Sequence, residues 1–327
     1  MRNAFAQEIT ALAEADPRLV LLMGDIGNRL FDRFKVVASN RFFNCGVAEQ
    51  NMIGMAAGLA SCGFRPICYT ITPFVTTRCL EQIRVDVCYH RMPVTIVGTG
   101  AGLSYASLGA THHSCEDLAM LRVLPEMTVL APADSMEVRA CLRLALRQGG
   151  PVYMRIGKKG EPVIHAEVPE IEVGKCIVMR PGERIALLSA GNMLPTALAV
   201  AESLGSSGFR PEVASFPTIK PLDTSYLSDV FRRCSIVATI EEHSVLGGFG
   251  GSIAEWRCDQ TNPGARLVRF GTGDEFLHVA GEQEFARSHF GLTTGIIAQE
   301  LLRHLEGERP ALKPEPVSAL AHFSEQG

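Results

Sequence analysis

A single carboxylate, Glu49, interrupts the apolar and small residues of FFNCGVAEQNMIGMAAGLASCG, positions 42–63. Phe42 and Phe43 read as the end of a buried strand and Met52 to Leu59 as an apolar helix, with Glu49 at the junction. Holding a carboxylate beside an apolar layer is costly unless something binds it. Two partners fit: the free amides and dipole of a helix start, or a ligand nitrogen that hydrogen-bonds a buried acid. A second constellation is GTGAGLSYASLGATHHSCEDLAMLR, positions 98–122. Its glycines at 98, 100, 102 and 109 make a loop that a ligand can approach closely after a strand. Ser114 and Asp117 have capping-box spacing and predict a helix from about Cys115, which leaves His112 and His113 on the loop before it. Adjacent histidines there suit proton transfer or hydroxyl recognition; the plainer reading is that they cap the helix or face solvent. The third constellation is YMRIGKKGEP, where Arg155, Lys158 and Lys159 follow a strand. That cluster suits a phosphate or carboxylate, or forms a solvated basic turn.

Parallel α/β layers would bring the three segments to one sheet edge. Strand-like runs RLVLLMGD, RPICYTI, PVTIVGTG, MTVLAPAD and PVYMRIG alternate with helices expected at about 3–15, 49–61, 76–90, 115–123 and 135–148. Residues 1–165 are expected as one domain. The segment AEVPEIEVG, 166–174, has acidic residues, a proline and no helical period, and is expected as a link. A second domain over 175–310 follows from RIALLSAG, a helix from Leu194 to Leu204, RPEVASFP, SIVATIEEH, a helix after Gly250, ARLVRFG and the helix GLTTGIIAQELLRHLE. The tail, 311–327, lacks an apolar period and is expected to be extended or loosely docked. The predicted fold class is α/β, with two consecutive domains built on parallel or mixed sheets.

At 327 residues the chain has room for both domains, and 46% hydrophobic against 20% charged residues suits large cores or subunit interfaces. A net charge of −4 gives no reason to expect nucleic acid or an acidic membrane surface as partner. No apolar run is long enough to span a bilayer, and the start MRNAFAQEITALAEADPRL does not read as a signal peptide. The ten cysteines include no C-x-x-C and no zinc spacing, so no metal ligands are expected on this chain. Several, such as Cys68 and Cys88, lie in apolar segments, which fits reduced thiols and a cytoplasmic location. Dinucleotide binding is weakly signalled by GGFGGS at 247–252. Ile253 stands where the last glycine is required, and a tight backbone turn is the better reading. A G-x-S-x-G nucleophile elbow is absent.

Three segments, in this order, resemble the transketolase family of thiamine-diphosphate enzymes. GVAEQNMIGMAAGLA is similar to the family's stretch around its cofactor-activating glutamate. GLSYASLGATHHSCEDLAMLRVLPEMTVLAPAD is similar to its substrate-channel loop and the strand beyond, and EEHSVLGGFGGSIAE, 241–255, to the signature of its C-terminal domain. The likeness runs from about residue 3 to 305. It implies a pyrimidine-binding domain followed by the transketolase C-terminal domain, with thiamine diphosphate and Mg²⁺ as cofactors. It also implies a second polypeptide. The family's G-D-G motif and asparagine pair, which bind the diphosphate and metal, are missing. The nearest string, MGDIGN at 23–28, has isoleucine where the second glycine of that motif is required. The chain thus resembles the C-terminal subunit of a split transketolase. An N-terminal subunit would carry the diphosphate and Mg²⁺ site, in an expected α2β2 heterotetramer acting on small sugars or sugar phosphates.

By this resemblance, the counterpart of Glu49 donates a hydrogen bond to N1′ of the cofactor's aminopyrimidine and promotes loss of the thiazolium C2 proton. The cofactor then attacks a ketose and serves as electron sink. Phe74 would pack on the pyrimidine, and Asp25 would approach the thiazolium side. His112 would contact the substrate, with His113 the weaker candidate. Arg155 would bind the sugar phosphate, with Arg2 as a second ligand and Lys158 beside them. Two departures bear on specificity: Leu108 replaces a family aspartate and Gly100 a family histidine, both of which read sugar hydroxyls. Leucine accepts no hydrogen bond, so deoxy, branched or otherwise unusual sugars enter consideration. The rival readings are a 1-deoxyxylulose-5-phosphate synthase-like subunit, a 2-oxo acid dehydrogenase β-like subunit, and a non-catalytic regulatory subunit that keeps the fold. The GATHHSCEDLAMLR loop argues against the dehydrogenase, and retention of Glu49 and His112 against the regulatory subunit.

Overall fold

The computed structural model describes residues 1–306 except Asn28 and Pro263, so the expectation for 311–327 lies outside the described residues. The apolar runs of the first half become buried parallel strands. They are β1 (Leu19–Met23), β2 (Phe42–Asn44), β3 (Arg65–Ile71), β4 (Thr95–Thr99), β5 (Thr128–Leu130) and β6 (Val152–Ile156). Their order is β5-β6-β4-β3-β1-β2. Side chains alternate across this sheet with the period of two that a strand imposes. Val20 and Leu22 of β1 join one core with Met52, Ile53 and Ala56, whereas Leu19, Leu21 and Met23 join another with Phe5, Ile9 and Leu142. Burial on both faces explains why these strands are apolar throughout. β2 is the exception. Phe42 is only half-buried and Phe43 is exposed, because β2 is the edge strand and not the buried one its sequence suggests.

The second half contributes β7 (Ile177–Arg180), β8 (Arg184–Ser189), β9 (Glu212–Ser215), β10 (Thr218–Lys220), β11 (Cys234–Ser244) and β12 (Arg266–Thr272). Five of them form a sheet in the order β12-β11-β8-β9-β7, parallel except where β7 meets β9. The predicted class, two parallel or mixed α/β sheets, is the observed one. β7 and β10 are additions to it. β10 leaves its own half and pairs antiparallel with β5, so the first sheet has seven strands. Phe216 and Ile219 accordingly share a core with Val129 and Ala131. The segment 166–174 carries no helix or strand. No helix among the described residues is long and apolar enough to cross a membrane.

Two helices differ from expectation for local reasons. The one foreseen over 76–90 divides into a 3₁₀ turn (Thr77–Cys79), a short α turn (Leu80–Gln82) and a π-helical stretch (Ile83–Tyr89). The short helix Thr72–Val75 ends at Thr76, whose amide and Oγ both donate to the Thr72 carbonyl, at 3.0 and 2.7 Å, so the chain turns just where the longer helix would begin. The helix foreseen from Cys115 starts at Asp117 and runs to Arg122. Ser114 is unavailable as its cap because its backbone forms a two-way bridge with Gly102, at 2.9 and 3.0 Å.

Candidate active site

The carboxyl ends of β1, β3, β4 and β6 lie along one edge of the first sheet, the edge at which α/β proteins place ligands. Glu49 reaches it from the first turn of the helix Glu49–Ser61, whose Met52, Ile53, Ala56 and Ala60 are buried. The N-cap is Ala48, which has no side chain to satisfy the first amides, and the Glu49 carboxylate is 3% exposed. Its Oε2 accepts from Arg78 Nη1 at 2.8 Å, while Oε1 faces Gly24 and accepts no hydrogen bond from the described residues. A Cβ on Gly24 would stand 2.7 Å from Thr70 Oγ and 3.5 Å from Glu49 Oε1. The Thr70 hydroxyl is itself buried without a hydrogen-bond partner among the described residues. An acid oxygen and a hydroxyl are thus both spare beside a glycine, which suits a flat, nitrogen-bearing ring.

A row of rings and cations leads away from Glu49. The Arg78 guanidinium lies 4.5 Å from the centroid of Phe74, which stands on the short helix Thr72–Val75 after β3. His112 meets Phe74 edge-on at 5.2 Å between centroids and lies 5.8 Å from Tyr105. Lys158 Nζ sits 4.4 Å above the Tyr105 ring. Each contact falls within cation–π or aromatic range. His112 Nδ1 shares a 2.9 Å hydrogen bond with Thr111 Oγ. Burial, and after it the Lys158 charge, holds this imidazole below the usual histidine range. His113 turns inward: it is buried, and its Nε2 has no partner. Desolvation likewise lowers it, opposed by a hydrogen bond to the Ala106 backbone.

Other foreseen residues fall at different depths. Asp25 is exposed after β1, and its Oδ1 accepts from Asn44 at 2.9 Å. Arg2 opens the first helix, Arg2–Ala15, with its Nε buried and unpartnered. Its charge acts on Tyr69 and Tyr105, opposing the burial that raises both phenols. Arg155 lies deepest. It is 6% exposed, and its Nη2 donates to the carbonyls of Ser114 and Glu242, each at 3.2 Å. Its Nε pairs with buried Asp117 at 3.2 Å, without the alignment of a hydrogen bond. Asp117 also accepts from Tyr153 OH at 2.5 Å. With those bonds directed inward, Arg155 ties the glycine loop to the second half.

Sequence reasoning missed three participants. Arg78 was hidden inside the presumed helix 76–90. Tyr105 carries no motif. Glu242 lies in the second half, where it accepts from Leu103 N at 2.6 Å, Arg287 Nε at 2.6 Å and Gln283 Nε2 at 2.8 Å. The glycine cluster that hinted at a dinucleotide opens the helix Phe249–Cys258, and its first amides are already occupied. Glu241 accepts from Phe249 N and Gly250 N, both at 2.7 Å. A phosphate has no place there. Among the described residues no group of three or more His, Cys, Asp or Glu is arranged to hold a metal ion.

The transketolase pyrimidine-binding domain family matches residues 1–161, and the transketolase C-terminal domain family matches residues 174–295. An apulose-4-phosphate transketolase subunit of Actinobacillus succinogenes is 35% identical over 77% of this chain and 81% of its own. A 6-deoxy-6-sulfo-D-fructose transketolase subunit of Clostridium sp. strain MSTE9 is 34% identical, covering 93% of this chain and 92% of its own. Among solved structures, the inactive β4 tetramer of a split-gene transketolase superposes with a TM-score of 0.83 at 32% identity, over 94% of this chain and 98% of that one. The chain belongs to the transketolase family.

Proposed function

We propose that this chain is the C-terminal subunit of a two-chain transketolase that moves a two-carbon ketol unit from a ketose to an aldose acceptor. The observation that carries this reading is the buried Glu49, whose Oε1 remains open toward Gly24 and the unpartnered Thr70 hydroxyl. When bound, thiamine diphosphate supplies the electron sink for cleaving the ketose carbon–carbon bond. Glu49 holds a proton at the pyrimidine N1′, and Arg78 fixes the other carboxylate oxygen so that Oε1 keeps its aim. Phe74 packs on the ring and excludes water from it. His112, largely neutral at neutral pH, holds or releases a proton at a substrate oxygen. Lys158 and Arg2 take the anionic end of the sugar, and Arg155 braces the loop behind them. Asp25 borders the same edge, and His113 supports the loop from within.

An N-terminal partner subunit carrying the diphosphate and Mg²⁺ completes the site, in an α2β2 heterotetramer in the cytoplasm. The ten free cysteines agree with a reducing compartment. Relatives whose names specify a sugar phosphate and a sulfo sugar support an anion-terminated substrate. Isothermal titration calorimetry of the isolated chain should show no tight, Mg²⁺-dependent binding of thiamine diphosphate, whereas the two-chain complex should bind it and turn over. Micromolar, Mg²⁺-dependent binding by this chain alone would contradict the split-site reading.

A further inference from the structure

The loop after β4 contains a steric exchange between two positions. Gly100 adopts φ +80°, and a Cβ built on it would fall within the ring of Tyr105. Whatever a side chain at position 100 would reach for is therefore already filled by a phenol from five residues further along. That ring is well fixed: Tyr105 is 7% exposed, with His112 to one side and Lys158 Nζ above its face. Its hydroxyl is different. Tyr153 and Tyr226 spend theirs on Asp117 and Glu212, each at 2.5 Å, whereas the Tyr105 hydroxyl has no partner among the described residues. Leu108, on the same loop, is 51% exposed and offers no polar atom in its side chain. Along the row from Phe74 to Lys158, the uncharged polar side chains are then the His112 imidazole and the Tyr105 phenol.

We propose that Tyr105 is a specificity-determining residue: its ring sets the width of the channel beside Gly100, and its hydroxyl reads a hydroxyl in the middle of an anion-terminated ketose. The inference rests on the transketolase reading and deepens it. The terminal anion lies toward Lys158 and Arg2, so the sugar extends across the Tyr105 face on its way to Glu49.

The test uses the assembled two-chain enzyme and compares fructose 6-phosphate with hydroxypyruvate, a donor that has no hydroxyls beyond C3. Tyr105→Phe keeps the ring and removes one neutral hydrogen bond, of about 0.5–1.5 kcal/mol. The kcat/KM ratio of sugar phosphate to hydroxypyruvate should fall by about 2- to 13-fold, the same energy expressed as a rate. Tyr105→Ala should lower that ratio further, and should favour branched over linear sugar phosphates relative to the wild type. An equal loss on both donors would reduce Tyr105 to loop support and overturn the proposal, as would an unchanged ratio in both variants. If Tyr105→Ala fails to fold by circular dichroism, the phenylalanine variant alone decides through its ratio. A wild-type complex that transfers from no ketose would overturn the transketolase reading and this one with it. That outcome is distinct from an active wild type whose variants leave the ratio unmoved.

Discussion

Glu49 and Glu241 are both buried carboxylates in the opening turn of a helix or beside it, yet only one has its hydrogen-bonding capacity filled. Glu241, at the end of β11, spends one oxygen on Phe249 N and the other on Gly250 N, and a Cβ on Gly248 would collide with it. Burial still pushes its carboxyl up to about 7. Glu49 spends one oxygen on a half-exposed arginine and leaves the other toward a glycine and an orphaned hydroxyl. A fully occupied acid of this kind stabilises the fold. One left half-occupied in a buried position has bonding capacity that a ligand could complete.

Substitutions can break this contrast at several strengths. The largest effect should come from the structural side. Arg155→Ala would strand Asp117 as an uncompensated buried charge, and urea unfolding should show a loss of about 3–5 kcal/mol. A loss below about 1 kcal/mol, combined with a selective defect on phosphorylated sugars, would restore Arg155 as a phosphate ligand. Glu241→Ala orphans two amides, which should cost about 2–4 kcal/mol of stability while chemistry per folded complex is retained. A specific loss of turnover at unchanged stability would erase the distinction between the two glutamates.

Smaller effects probe the far end of the row. Lys158→Ala removes a charge-assisted contact of about 1.5–3 kcal/mol, so kcat/KM for anion-terminated sugars should fall about 10- to 150-fold, with a smaller loss on hydroxypyruvate. The same variant should move the acid limb of the pH–rate profile. Lys158 lowers the His112 imidazole, so removing it raises that group, and activity that needs neutral His112 is lost at a higher pH than in the wild type. A limb that moves down, or stays, would detach His112 from proton transfer.

How much of this was legible in the sequence depended on the range of the interaction. The helix Glu49–Ser61 was readable because its apolar period is local, and so were the buried parallel strands β1, β3, β4 and β6. The segment 76–90 was misread because a separate short helix, Thr72–Val75, ends at Thr76, a break that periodicity does not reveal. Ser114 had the spacing of a cap, but its backbone was claimed by Gly102 twelve residues earlier. β10 looked like part of the second half and instead completed the first sheet, since strand partners are chosen by tertiary packing. In the candidate site, Glu49 and His112 were singled out by their motifs and Phe74 by the family resemblance. Arg78 and Tyr105 became visible only once folding set one over Phe74 and the other over Gly100.

The central claim is that the open oxygen of Glu49 serves the cofactor, and proton exchange at its thiazolium C2 in the two-chain complex tests it most directly. Glu49→Gln preserves the size of the side chain and its burial but cannot share the proton. Hydrogen–deuterium exchange at C2, followed by NMR after rapid quenching, should slow by at least ~10²-fold, the range of acid–base groups. Affinity for thiamine diphosphate should change far less than this rate. Exchange at a near wild-type rate in a complex that still binds the cofactor would show that Glu49 is a helix-start carboxylate and nothing more.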